Sequence, residues 1–151
     1  MKVYLATDHA GFELKGKILK FLQDNGYEVE DCGPYKYDKN DDYPDFINKV
    51  AEKVSQDPEG SRAVVLGGSG QGEAIVANKF PNVRAVVYYG GPEEIITLSR
   101  EHNNANVLSI GARFVDEGVV SLIKKWLEAP FTNEERHVRR IEKIKKIEQK
   151  I

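Results

Sequence analysis

The sequence predicts a doubly wound α/β domain built on a five-stranded parallel sheet, and three observations carry the prediction. Short β-branched runs alternate with helical patterns along nearly the whole chain, the mark of βα units wound onto a parallel sheet. Two of those runs, Ala63–Leu66 and Val86–Tyr88, are almost continuously apolar, as strands covered on both faces must be. The length, 151 residues, suits one domain with one sizeable core, so residues 1–151 are read as a single unit.

The elements follow in order. Val3–Ala6 is a first strand and Glu13–Asp24 a helix, with Leu14, Ile18, Leu19 and Leu22 along one side. Glu28–Glu30 is a second strand, and the polar stretch Gly33–Asp42 a loop leading into a helix over Asp45–Val54. Ala63–Leu66 feeds a glycine-rich turn and a helix over Glu73–Lys79. Strand Arg84–Tyr88, helix Glu93–Glu101, strand Val107–Ile110 and helix Asp116–Leu127 complete the winding. Such a flavodoxin-like or Rossmann-like sheet has the expected strand order 2-1-3-4-5. A last helix over Asn133–Ile151 has no strand to return to, and residues 131–151 are expected to contact a partner subunit.

Composition narrows the function. The chain is 40% hydrophobic and 30% charged with a formal net charge of -2, an ordinary globular profile that does not favour nucleic acid. A single cysteine, Cys32, excludes an internal disulfide framework and a cysteine zinc cluster. The N-terminal apolar run breaks at Asp8 and His9, and no run reaches membrane-spanning length, so neither leader nor membrane span is read and a cytoplasmic location is expected.

Ligands of an open doubly wound sheet bind beyond the carboxyl ends of the strands, where strand order reverses, here between strands one and three. Strand one ends in Thr7-Asp8-His9 and strand three in Gly67-Gly68-Ser69, so the two polar strand ends meet at that crevice. The segment GGSGQGE departs from the dinucleotide fingerprint, because the third glycine would fall on Glu73, and neither a Walker loop nor a nucleophile elbow fits. What remains is a glycine turn whose backbone N–H groups form an anion or oxyanion site. Glu73, in the first helical turn beside those donors, has the placement of a base for proton abstraction alpha to a carbonyl. The helix N-terminus lowers its pKa, and burial near Ile75 and Val76 is expected to offset this.

His9, His102 and His137 are the three histidines, and none of their spacings is the i, i+4 of a helical metal pair, so no metal is expected. His102 and Asn103 close the fourth helix, at the sheet edge opposite the crevice. If they serve the same site they come from a second subunit, which predicts a homodimer with shared active sites. On the terminal helix Ile141, Ile144, Ile147 and Ile151 form one stripe, with Arg136, His137 and Arg140 on or beside it and Arg139 facing away. Basic groups aligned with an apolar stripe point to an anion at a subunit contact.

The motifs ATDHAGFELK, DDYPDF, VVLGGSGQGEAIVANK, REHNNANVLSIGAR and ERHVRRI together resemble the ribose-5-phosphate isomerase B family, which includes the galactose-6-phosphate isomerase subunits. The resemblance spans nearly the whole chain. It implies a homo-oligomer, a dimer or paired dimers forming a tetramer, that interconverts an aldose phosphate and its ketose without cofactor or metal. It further implies that Asp8, His9 and Asn103 contact the sugar, that Gly68, Ser69, Gly70 and Gly72 hold the enediolate, and that His102 donates a proton in ring opening. Arg113, Arg136 and Arg140 resemble the family's phosphate ligands, with His137 close by. In many members a cysteine at the position of Gly67 is the base; this chain resembles the branch in which glutamate at the position of Glu73 replaces it. The expected reaction joins ribose 5-phosphate and ribulose 5-phosphate. The alternatives are a six-carbon substrate, such as allose or galactose 6-phosphate, and a non-catalytic sugar-phosphate sensor.

Overall fold

The computed structural model describes residues Met1–Ile151. Its elements are β1 (Lys2–Thr7), α1 (Phe12–Asp24), β2 (Glu28–Asp31), α2 (Pro44–Gln56), β3 (Ser61–Gly67), α3 (Gln71–Ala77), β4 (Ala85–Tyr88), α4 (Glu94–Asn103), β5 (Val107–Gly111), α5 (Val119–Glu128) and α6 (Glu135–Glu148), with a 3-10 turn over His9–Gly11. All five strands pair in parallel.

Side-chain alternation along the strands divides the core into two layers. Leu5, Val64, Leu66, Leu108 and Ile110 face Ile18 and Leu22 of α1, Ile96 of α4 and Ile123 and Trp126 of α5. Ala63, Val65 and Val107 face Ile47, Val50, Ala51 and Val54 of α2 and Ala77 of α3. Trp126, wholly buried, donates its indole N–H to the Ser99 hydroxyl at 3.2 Å, locking α5 to α4.

The strand order is β2-β1-β3-β5-β4, which corrects the expected 2-1-3-4-5. Strand β5 is buried at all five positions, Ser109 included, whereas β4 is only half-buried over Ala85–Val87. The fully enclosed strand therefore takes the interior and β4 the edge. Right-handed crossovers then fix the layers: α4 turns inward from β4 to β5 and lies with α1 and α5, not with α2 and α3. The site is unaffected, because β1 and β3 remain neighbours, with Thr7 beside Leu66.

Helix α6 stands apart from both layers. Its stripe is covered only at the start, where His137 and Ile141 are buried, while Ile144 (41%), Ile147 (59%) and Ile151 are exposed. No helix is long and apolar enough to cross a membrane.

Candidate active site

Glu73 is 3% exposed. Its carboxylate folds beneath the end of β3, in the volume that a Cβ on Gly67 would take. Burial pushes its pKa up and nearby Asp8 adds to this, against its own backbone N–H, which acts the other way. The tension between helix terminus and base strength is thus resolved by desolvation. Of the two expected neighbours, Ile75 is 62% exposed while Val76 packs partly buried against the core; the carboxylate itself fits closely against the bare Gly67 backbone.

The glycine turn is held from below. Gly70 has a left-handed φ of 79° and its carbonyl accepts from the Ser109 hydroxyl at 2.6 Å, so β5 anchors the loop. A Cβ at Gly72 would meet the Tyr43 ring and hydroxyl, which places Tyr43 at the α3 start. Ser69 Oγ accepts from the Gln71 N–H at 3.3 Å. The Arg113 guanidinium lies over Gly68, and its backbone N–H donates to the Gly68 carbonyl at 3.2 Å.

Asp8, 7% exposed, caps the 3-10 turn by accepting from the Ala10 N–H at 2.9 Å. His9 leans on Asp41: one oxygen, Oδ1, accepts from the His9 backbone N–H at 3.0 Å and lies 2.7 Å from Nδ1. That hydrogen bond holds the His9 pKa above its ordinary value, with Asp8 adding and burial and Arg113 opposing. Asp8, His9 and Asp41 bring their ligand atoms within 4.8 Å of one another, a grouping that helical spacing alone does not reveal. His9 Nδ1 is taken up by Asp41 in that arrangement.

The other expected residues gather at the opposite end of the sheet. His102 and Asn103 end α4, and the His102 ring stacks on His137 of α6 with centroids 4.3 Å apart and planes at 14°. His137 is buried and its Nε2 makes no hydrogen bond within the chain, with Glu134 Oε2 at 4.0 Å; burial lowers its pKa, and His102, Arg136 and Arg140 lower it further against Glu134. Arg136 reaches Glu134 at 3.0 Å, and Arg139, read as a surface residue, pairs with Glu135 at 3.2 Å. The expected residues therefore fall into two separate clusters. Asp8, His9, the glycine turn, Glu73 and Arg113 meet at the carboxyl edge; His102, Asn103, Arg136, His137 and Arg140 meet at the amino edge, and the strands separate them.

Over residues 3–144 the sequence matches the Ribose/Galactose Isomerase family. The chain belongs to that family. It is 43% identical over 144 residues to ribose-5-phosphate isomerase B of Mycobacterium tuberculosis H37Rv, covering 94% of this chain and 86% of the relative. It is 37% identical over 150 residues to the Escherichia coli K12 enzyme of the same name, covering 99% and 97%. Among solved structures, ribose-5-phosphate isomerase B from Mycoplasma genitalium with bound ribulose-5-phosphate superposes with a TM-score of 0.94 at 36% identity, covering 99% of this chain and 97% of that one. The Clostridium thermocellum protein gives 0.91 at 41%, covering 99% of each.

Three residues to which the sequence reading gives no role pack against these groups. Asp41 and Tyr43 lie in the motif DDYPDF, and Ser109, a polar residue inside an apolar strand, lies in REHNNANVLSIGAR. Ser109 carries a further signal, since a buried hydroxyl in an enclosed strand needs an acceptor.

Proposed function

We propose that this chain interconverts ribose 5-phosphate and ribulose 5-phosphate through an enediolate, with Glu73 as the base. The observation that carries the reading is the buried Glu73 carboxylate, its pKa raised, packed against the Gly67 backbone at the start of the glycine turn. In the open-chain aldose Glu73 takes the C2 proton, the C1=C2 bond forms and charge moves onto O1. The Gly67–Gly72 backbone donors stabilise that charge. O1 gains a proton, O2 gives one up, and Glu73 returns its proton to C1 to leave the ketose. No atom is added or lost and no redox partner is needed.

Ring opening belongs to His102, with Asn103 on the sugar hydroxyls; Arg136, His137 and Arg140, together with Arg113, take the phosphate. Because the two clusters lie at opposite edges of one sheet, a whole site draws them from two subunits. The exposed Ile144 and Ile147 on α6 support such a contact. Asp8 and His9 hold the sugar on the Glu73 side.

The test is Glu73→Gln, nearly isosteric, for which turnover falls on the order of 100-fold or more with little change in KM. Wild-type turnover in that variant would refute the assignment. Co-refolding Glu73→Gln with His102→Ala regains part of the activity if sites are shared. The same assay across five- and six-carbon aldose phosphates decides the substrate.

A further inference from the structure

We infer that Arg84 and Arg100 form a guanidinium clamp that holds the turn presenting His102 and Asn103, making them positioning residues for ring opening at a site they do not touch. The functional half of this rests on the role given to His102 above; the clamp itself rests on geometry.

Helix α4 ends at Asn103, and Asn104 follows in a left-handed conformation with φ 47°. Such an end leaves carbonyls without helical partners. Arg84 Nε donates to the carbonyls of Asn103 at 3.1 Å and Asn104 at 3.0 Å. From the other side Arg100 Nη1 donates to Asn104 Oδ1 at 2.8 Å and to the Ala105 carbonyl at 2.6 Å. Three successive residues after His102 are thus tied to two forked cations. The same helix end carries the approach to α6: Arg100 Nε donates to the Ala129 carbonyl at 3.3 Å, and Thr132 bonds the Glu101 carbonyl through its N–H at 3.1 Å and its hydroxyl at 3.0 Å. Both members of the His102–His137 stack are therefore referred to one anchor.

The arrangement is costly, which argues that it is not incidental surface pairing. Arg100 is 3% exposed and forms no salt bridge with a carboxylate; burial first, and then the neighbouring Arg62 and Arg84, bring its pKa down to about 10. Arg84 is lowered for the same first reason. Backbone carbonyls at a helix C-terminus carry the partial negative charge that these cations meet. Arg100 spreads its contacts over two nitrogens, Nε to Ala129 and Nη1 to Asn104 and Ala105, a span that the single ammonium nitrogen of lysine does not have.

The test uses Arg84→Met, which keeps the packed stem, and Asn104→Gly, which keeps the left-handed backbone while removing Oδ1. The second variant guards against loss of the fold. Displacement of His102 by about 1 Å is expected to cut turnover of cyclic ribose 5-phosphate roughly 10-fold to 100-fold. Ribulose 5-phosphate is acyclic, because its C5 oxygen is esterified, so exchange of its C1 proton into deuterium oxide needs no ring opening and falls much less. Proton NMR should find the His102 and His137 ring signals shifted and the Asn104 and Ala105 amides exchanging faster. Unmoved ring signals and unchanged amide exchange would overturn the clamp and leave the role of Glu73 intact. Displaced rings with full turnover would overturn the role of His102 and with it the functional half of the proposal. Equal loss of turnover and exchange would reduce both arginines to general structural support, overturning the positioning claim.

Discussion

Gly67→Ala removes no functional group, yet it is expected to disable the site. Gly67 lies outside the left-handed region, so alanine has no torsional penalty there and the whole effect is steric. The added Cβ overlaps Cδ and both carboxylate oxygens of Glu73. Carbon and oxygen atoms settle at roughly 3.5 Å, so the carboxylate must withdraw by more than about 1 Å. A misplacement of that size costs on the order of 100-fold in rate, which corresponds to about 2.7 kcal/mol of transition-state stabilisation. Overpacking adds a stability loss of about 1–3 kcal/mol, a fall in Tm of roughly 2–12 °C for a chain of this length. The assay follows ketose formation from ribose 5-phosphate at a temperature where circular dichroism finds the variant folded. Gly68→Ala is the internal control: its Cβ meets the Arg113 guanidinium at 3.1 Å, the far end of a flexible side chain, so the effect should be milder and fall on KM. A folded Gly67→Ala protein with wild-type kcat would refute both the fit and the assignment of Glu73 as base.

Asp41→Asn removes the carboxylate whose hydrogen bond raises the His9 pKa. The His9 titration, followed by NMR, should move to lower pH, and the alkaline limb of kcat/KM should move with it; an unmoved titration would show that Asp41 is not the source of the shift. Glu73→Gln is expected to stabilise the fold while abolishing turnover. The Glu73 pKa is raised on folding, so the folded chain holds the proton more tightly and stability falls as pH rises through the interval above the ordinary carboxylate value. Thermal melts should therefore find wild type and variant alike near pH 4 and the variant more stable near pH 8, and no gain at pH 8 would mean that the carboxylate is not desolvated.

Winding and crevice were legible because each rests on a periodic or positional signal. Strand order was not, because apolar content alone did not distinguish β4 from β5: Val86–Tyr88 reads as more apolar than a strand containing Ser109, yet the second is interior and the first lies at the edge. What reverses the reading is the bond from Ser109 to Gly70, a tertiary contact between residues 39 positions apart. The placement of His102 and Asn103 away from Glu73 followed from topology alone, since a helix returning to start a strand must end at the amino edge. Arg100 was hidden for the opposite reason. A charged residue in a helix of low hydrophobicity reads as solvated, and only the left-handed turn beyond α4 reveals what it satisfies.

The same distinction sharpens the question of the base. The family resemblance places a base either at position 67, as cysteine, or at position 73, as glutamate, six residues apart and in different elements. In the folded chain these are one place, because the Glu73 carboxylate fills the volume that a side chain on residue 67 would need. Glycine at 67 is therefore a condition for glutamate at 73 rather than a neutral loop residue. A side chain at either position excludes the other. On the proposed assignment of Glu73, the base acts from the volume beneath the glycine turn, and that volume lies within reach of both residue 67 and residue 73.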